Sequence, residues 1–261
     1  MSKKATKQFA LSIVWKNLAQ TGIALAFLLF VWGIAYVAEG NELLVPSVGD
    51  CLNRMGKLLA DGSFWRACFQ TLNRVFLAFG ISFILAVIFS LISYMVPWFG
   101  GILSPIVSML RSLPTIAVLL ILLVVAGAGK APIIVAFLSL FPMLYASMGA
   151  ALAQVDGELL EMSRVYNVPV KKQIVSLYLP SVAPYVLREA GAALSFSLKL
   201  VVSAEVVANT ARSLGGMMLE AKNLFADIPS LFALVILAFF FGLVLEALGA
   251  LAANVVERRV K

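Results

Sequence analysis

Long apolar runs alternate with short charged clusters along this chain, and the runs are far too long for barrel strands. Between Lys16 and Glu39 no charge interrupts residues 17–38, enough for a helix across a hydrocarbon core of about 30 Å. The next uncharged run, 75–110, exceeds a single crossing, and Pro97 with the pair Gly100-Gly101 is expected to break it into helices near 69–96 and 103–126. A short turn around Gly127, Gly129 and Lys130 leads to a fourth span, 131–154. The fifth, 183–208, is apolar apart from Arg188, Glu189, Lys199 and Glu205, and the sixth, 229–254, holds only Glu246. Backbone amides in lipid must be satisfied within the segment, so the pattern predicts an all-α membrane protein with six transmembrane helices. Residues 1–16 are a polar N-terminal segment, 17–254 the membrane domain, 155–182 its longest inner loop and 255–261 a short tail.

Two segments outside the spans carry pattern of their own. Pro46-Ser47 offers a helix start, after which Val48, Cys51, Leu52, Met55, Leu58 and Leu59 recur at helical spacing, predicting a short amphipathic helix. In the loop, Asp156 can cap a helix with Glu158 in its first turn, and that helix should stop near Asn167 because Pro169 blocks continuation. A second stretch, 170–179, then leads through Pro180 into the fifth span.

Composition narrows the class. Of 261 residues, 62% are hydrophobic and 13% charged, with mean hydropathy +1.01, which excludes an ordinary soluble enzyme and a disordered chain. There is no histidine, which removes imidazole metal sites and histidine-based triads. Cys51 and Cys68 are too few for a four-thiolate metal site; two separate thiols are expected, the alternative being one bridge if both face an oxidising side. The net charge of +7 sets topology rather than nucleic-acid binding in so apolar a chain. Lys3, Lys4, Lys7 and Lys16 flank the first span on one side, with Glu39 and Glu42 on the other. That bias is expected to place both termini in the cytoplasm. The lysines resemble a signal-peptide n-region, but the apolar run is too long for an h-region and Tyr36 spoils a cleavage site at Ala38, so the first span is expected to be a retained anchor. Trp15, Trp65 and Trp98 are expected to be interfacial anchors.

The loop 155–180 resembles the "EAA" loop of ABC-importer permeases: Glu-Ala-Ala, three residues, Gly, nine residues, Ile-x-Leu-Pro. Glu161 takes the Glu place, Met162 and Ser163 replace the alanines, Asn167 stands at the Gly place, and Leu177-Tyr178-Leu179-Pro180 close the pattern. Asn keeps the left-handed capacity of the glycine. Leu44-Val45-Pro46-Ser47, Thr71-Leu72-Asn73-Arg74-Val75, Leu110-Arg111-Ser112-Leu113-Pro114 and Val202-Ser203-Ala204-Glu205 follow in the order seen in nitrate/sulfonate/taurine-type permeases. The resemblance implies a type I ABC-importer permease (MetI-like) bundle with a cytoplasmic coupling helix, in the cell (inner) membrane. It further implies a second permease copy, a cytoplasmic ABC ATPase dimer that binds the ATP, and an extracytoplasmic substrate-binding protein. By that analogy the coupling residues are Glu158, Glu161, Met162, Ser163, Arg164, Val165, Tyr166, Asn167 and Pro180. Met162, Val165 and Tyr166 would make the apolar docking contact, and Glu161 and Arg164 the polar ones.

Gly127-Ala128-Gly129-Lys130-Ala131 superficially suggests a phosphate loop. Val124 stands where Walker A needs its first glycine and Ala131 where it needs Ser or Thr, so a turn between spans is expected instead. No cofactor and no catalytic or metal residue is expected.

Charges inside a span point to function by default. On a regular fifth helix Arg188, Ser195, Lys199 and Ser203 lie within about 80° of one another, and Arg188 and Lys199 are about 16 Å apart along the axis. This basic stripe either lines a pathway for an anion or is neutralised, Arg188 by Glu189 or a neighbouring helix and Lys199 by Glu205 or Glu246. Arg111 either lines the cavity or satisfies a carbonyl freed by Pro114. The expected function is the permease subunit of a binding-protein-dependent importer for a small anionic solute of the nitrate, sulfonate or taurine kind. The alternatives are the same machine importing a thiamine-pyrimidine precursor or related heterocycle, and an ion-gradient-driven secondary transporter. An intramembrane enzyme lacks a catalytic constellation.

Overall fold

The computed structural model describes residues 22–24, 26–41, 44–223 and 226–260. The lysine cluster before the first span and Trp15 lie outside them. The described chain is helical almost throughout, with α1 (Gly22–Glu39), α2 (Val48–Ala60), α3 (Gly62–Met95), α4 (Pro97–Ser112) and α5 (Thr115–Leu152). Then come α6 (Gly157–Val165), α7 (Val170–Gln173), a π-helical turn (Ile174–Tyr178), α8 (Leu179–Ala208), α9 (Leu214–Asn223) and α10 (Ile228–Val260). Among the described residues five helices, α1, α3, α5, α8 and α10, are long and apolar enough to cross a membrane.

Helix α5 is two arms rather than one rod. Gly127 has φ 75° and ψ 165°, a region open only to glycine. Arg111, just ahead of α5, donates to the Pro142 carbonyl at 3.1 Å, and Leu119 shares a buried cluster with Ala131 and Val135. In a straight helix Leu119 and Val135 would stand about 24 Å apart. The chain therefore reverses at Gly127, and the expected turn there is present as a helical hairpin.

The expected third span, 103–126, is not continuous. Pro114 forces Leu113 into an extended conformation (φ −69°, ψ 130°), which splits the segment into α4 and the first arm of α5. Gly100 and Gly101 lie inside α4, so the break before it is the single residue Val96, and Pro97 opens the new helix at its first position. The second span begins at Gly62 rather than 69, because the Asp61 side chain caps it by accepting from the Ser63 amide at 2.9 Å. The last helix runs on to Val260, through most of the segment expected to be a tail.

α3, the second arm of α5, α8 and α10 enclose the core. Large side chains such as Phe64, Leu140, Leu144, Leu198 and Leu234 fill it, and Ala78, Ala86, Ala136 and Ala193 are buried where helices meet. Small residues at such contacts let backbones approach, the main attraction available between helices already in lipid. The closest approach is between α8 and α10: a Cβ on Gly249 would lie 2.1 Å from the Gly191 Cα. Phe89 meets Phe141 edge-on, with centroids 5.9 Å apart, and the Tyr145 hydroxyl donates to Ser93 Oγ at 2.9 Å.

At one end of the bundle, α2 lies across α10. Ser47 caps it, accepting from the Asp50 amide at 3.1 Å, and Arg54 pairs with Asp227 at 2.9 Å. Cys51, Met55 and Leu58 of α2 face the core, leaving Leu52 and Leu59 exposed. Cys51 and Cys68 are both free and buried, and burial, reinforced by Asp50, pushes the Cys51 thiol up to about 11. Neither thiol is expected to react with a membrane-impermeant maleimide until the protein is unfolded in detergent, and labelling of either in the folded state would contradict this packing.

Candidate coupling surface and intramembrane groove

At the opposite end of the bundle from α2, the loop 155–182 folds as two helices held on an apolar floor. Asp156 Oδ1 accepts from the Glu158 amide at 2.9 Å, starting α6 as its sequence suggests. At the other end Asn167 has φ 49°, and the Val168 amide reaches back to the Ser163 carbonyl at 2.9 Å. That is the six-to-one bond of a left-handed helix stop. Gln173 Nε2 donates to the Val168 carbonyl at 2.8 Å and braces the turn before α7.

Val155, Tyr178 and Val182 are buried against Ala151 and Leu152, with Leu160, Ile174 and Leu177 packed beside them. The other face of α6 is open. Leu159, Met162 and Tyr166 follow at the spacing of one helical stripe, and their exposures are 44%, 55% and 75%, with the adjoining Val165 at 77%. Glu158 and Glu161 are also exposed, and Ser163 turns inward, its Oγ donating to the Leu160 carbonyl at 2.7 Å. Arg164 is helical in the backbone.

Pro180 does not interrupt the helix that follows. The Leu179 amide bonds to the Ile174 carbonyl, a five-residue spacing that forms the π turn. Pro180 has no amide hydrogen, and the widened turn ahead of it absorbs its ring. From Val170 to Ala208 the chain is thus helical without a gap.

The stripe on α8 divides in two. Ser195, Lys199 and Ser203 border one groove of about 340 Å3, closed on the far side by Met218, Gly242 and Glu246. Arg188 borders a different opening of about 330 Å3 with Gln154, Ser181, Tyr185 and Glu189. Between these levels the α8–α10 crossing at Gly191 brings the two backbones together, which helical phase on α8 alone could not reveal. Glu205 is not the partner of Lys199, because Arg74 occupies it. Among the described residues Lys199 is in no ion pair, and Glu246 borders its groove without reaching it. Arg111 does bond a carbonyl, but that of Pro142 on the second arm of α5, which the reversal at Gly127 brings alongside. The Gly127–Lys130 segment is the hairpin bend, and the Ala128 carbonyl accepts from Thr210 Oγ1 at 2.9 Å.

Sequence reasoning missed one buried polar network. Glu205, fully buried, accepts from Arg74 Nη1 at 2.9 Å, from Thr71 Oγ1 at 3.1 and 2.9 Å, and from the Gly215 amide at 3.2 Å. Thr71 Oγ1 in turn accepts from the Leu214 amide at 3.0 Å. The network pins the start of α9 to α3 and α8. Its signal lay in two of the quoted fragments, one ending in Arg74-Val75 and the other in Ala204-Glu205.

Residues 78–261 match the family described as the binding-protein-dependent transport system inner membrane component. The chain belongs to that family. A probable ABC transporter permease protein of Brucella melitensis biotype 1 is 26% identical over 239 residues, covering 89% of this chain and 95% of that one. The taurine transport system permease protein TauC of Escherichia coli K12 is 24% identical over 234 residues, covering 86% and 85%. In a solved structure of a bacterial ABC transporter involved in the import of the acidic polysaccharide alginate, one chain matches this fold with TM-score 0.66 at 16% identity. That match covers 95% of this permease and 99% of the other chain. The protein is thus an ABC-importer permease subunit, an integral membrane component without catalysis of its own. Its all-α bundle is that of the type I importers.

Proposed function

We propose that this permease forms the membrane pathway of a type I importer for a small anionic solute of the sulfonate or taurine kind. A cytoplasmic ATPase dimer seats on α6, and a second copy of the chain completes the pathway. Both termini face the cytoplasm, so α6 and α7 point inward and α2 and α9 outward; α4 with the first arm of α5 makes one crossing and the second arm another, to give six. The observation that carries this is the exposed apolar stripe Leu159, Met162 and Tyr166 on a short helix whose other face is anchored to the bundle. A soluble loop has no use for four large exposed apolar side chains, whereas a groove in a partner does. Glu158 and Glu161 supply the polar rim around it, while Asn167 and Pro180 fix its ends. The reading of the solute as an anion rests on Lys199, unpaired among the described residues, beside the Ser195 and Ser203 hydroxyls, and on the similarity to a taurine permease. A thiamine-pyrimidine precursor or related heterocycle is the rival cargo, taken if uptake is indifferent to the charge of Lys199. An extracytoplasmic binding protein delivers the solute.

The test is co-purification with the genomically adjacent ATPase, followed by uptake in proteoliposomes. Tyr166→Asp and Met162→Asp are expected to weaken ATPase association by about thirtyfold each. Lys199→Gln should leave association intact and slow anion uptake. If no ATPase associates with well-folded wild type, the importer coupling surface is wrong and a gradient-driven mechanism replaces it.

A further inference from the structure

A groove of about 790 Å3 lies at the α2 end of the bundle, between the first turns of α3 and the segment leading into α9. It is far from α6 and does not share residues with the Lys199 groove. Its wall on the α3 side carries Ser63, Trp65, Arg66 and Gln70, and its wall on the α9 side carries Arg212 and Glu220. Two guanidiniums, an amide, a hydroxyl and one carboxylate thus converge on one concavity from two elements distant in sequence.

The charges are not used up by the fold. Among the described residues neither Arg66 nor Arg212 is in an ion pair. Arg66 spends only its Nε, on the Gly62 carbonyl at 3.3 Å, which leaves its terminal nitrogens available. The nearby Asp61 carboxylate is occupied by the Ser63 amide and hydroxyl as the cap of α3. These two bonds, with Arg66 close by, hold it below the usual carboxylate range.

Arg212 is held in a conformation that arginine seldom adopts, with φ 53°. The residues around it explain how it is kept there. Thr210 is tied to the Ala128 carbonyl, and Ser213 Oγ bridges the Thr210 carbonyl at 2.8 Å and the Gly216 amide at 2.9 Å. Thr210, Ser213 and Leu214 are buried, whereas Ala211 and Arg212 are exposed. Buried neighbours thus fix the backbone from which the Arg212 side chain borders the groove.

We propose that this groove is a binding site for a tetrahedral oxyanion carrying an ammonium group close by. The oxyanion sits between Arg66 and Arg212 with Gln70 as a further donor, and the ammonium group faces Glu220. Arginine presents forked donors that match sulfonate and phosphate oxygens, and the indole of Trp65 closes one side. The Glu220 carboxylate gives an ammonium group a partner that a plain oxyanion would leave facing its own charge. The site selects the amino-sulfonate subset of the anions assigned above, and in this it rests on that reading. A free amino-sulfonate and a phosphatidylethanolamine headgroup share this chemistry.

The test needs neither the ATPase nor transport, so it can fail independently of the coupling surface. The full-length chain in nanodiscs is titrated with 2-aminoethanesulfonate, ethanesulfonate and inorganic sulfate, reading tryptophan fluorescence, with Trp65→Phe as the control for the reporter. The aminosulfonate is expected to bind tightest. Arg66→Gln and Arg212→Gln should each weaken it about tenfold, and Arg212→Lys should recover part of the loss. Both arginines are exposed, so monodisperse variants with unchanged melting are expected. Glu220→Gln should weaken 2-aminoethanesulfonate and leave ethanesulfonate as tight or tighter, whereas a merely electrostatic mouth would not bind the aminosulfonate more weakly. The titration is repeated in discs of phosphatidylglycerol and in discs containing phosphatidylethanolamine. Competition by the latter identifies the lipid headgroup as the occupant, and equal affinity in both identifies the free solute. Affinity unaffected by the double arginine variant, or no saturable response to any probe in either disc, overturns the site.

Discussion

Arg74→Met is expected to cost the folded permease about 3–5 kcal/mol, the usual penalty when one member of a buried ion pair is removed and the other is left uncompensated. The Glu205 side chain is wholly buried and that of Arg74 is only 14% exposed, so water cannot replace the lost guanidinium. Thr71 and the Gly215 amide would still donate to the carboxylate, but neither carries a full charge. The loss should appear as a large drop in the melting temperature of detergent-solubilised protein followed by size-exclusion fluorescence. Arg74→Met combined with Glu205→Gln should regain most of it, because a glutamine oxygen can still accept from Thr71 and Gly215 with no charge to bury. Equal stability of wild type and the single variant would mean that the pair does not hold α9 in place. A double variant no better than the single one would mean that packing rather than charge is at stake.

Gly249→Val is the second large effect. Even a Cβ there would lie 2.1 Å from the Gly191 Cα, so the α8 and α10 backbones must part. Parting them opens the Lys199 groove, since Gly242, one pair of turns earlier on α10, packs 3.3 Å from Ser195 Oγ by the same measure. Overpacking a core commonly costs about 1–3 kcal/mol, and a backbone-to-backbone clash belongs above that range. Gly80→Ala serves as the control, because a Cβ at Gly80 meets nothing within 4 Å and the change should be neutral or slightly stabilising. A Gly249→Val protein that melts with wild type would show that the crossing is looser than described.

What the sequence made legible was local. Asp156, Asn167 and Ser47 act on amides a few residues away, and each stands at a helix end where its side chain or backbone conformation is used. The apolar runs likewise define helices directly. What was not legible depends on partners far along the chain. Arg74 and Glu205 are 131 residues apart, and no periodicity links them. The α8 stripe was sound as helical phase, yet it became two openings because a glycine on α10 comes to rest beside Gly191. The third span reads as one helix carrying Pro114, whereas that proline forces Leu113, the residue before it, into an extended conformation and ends the helix there. Arg111 was recognised as a carbonyl donor, but the acceptor could be known only once Gly127 had turned the chain back on itself.

The π turn between Ile174 and Tyr178 gives the permease an angular degree of freedom. The helical stretch from Val170 to Ala208 is about 57 Å long, with one tip beside α6 and Glu205 in its last turn at the other. A π turn holds one residue more than an α turn, and relaxing it would rotate everything beyond by about 100° relative to the tip. Ser195, Lys199 and Ser203 keep their present azimuth only while that extra residue remains where Pro180 favours it. Under the proposed coupling, a push on α6 would have two ways to travel up this rod, as displacement or as twist, and the second would change which face of α8 borders the Lys199 groove.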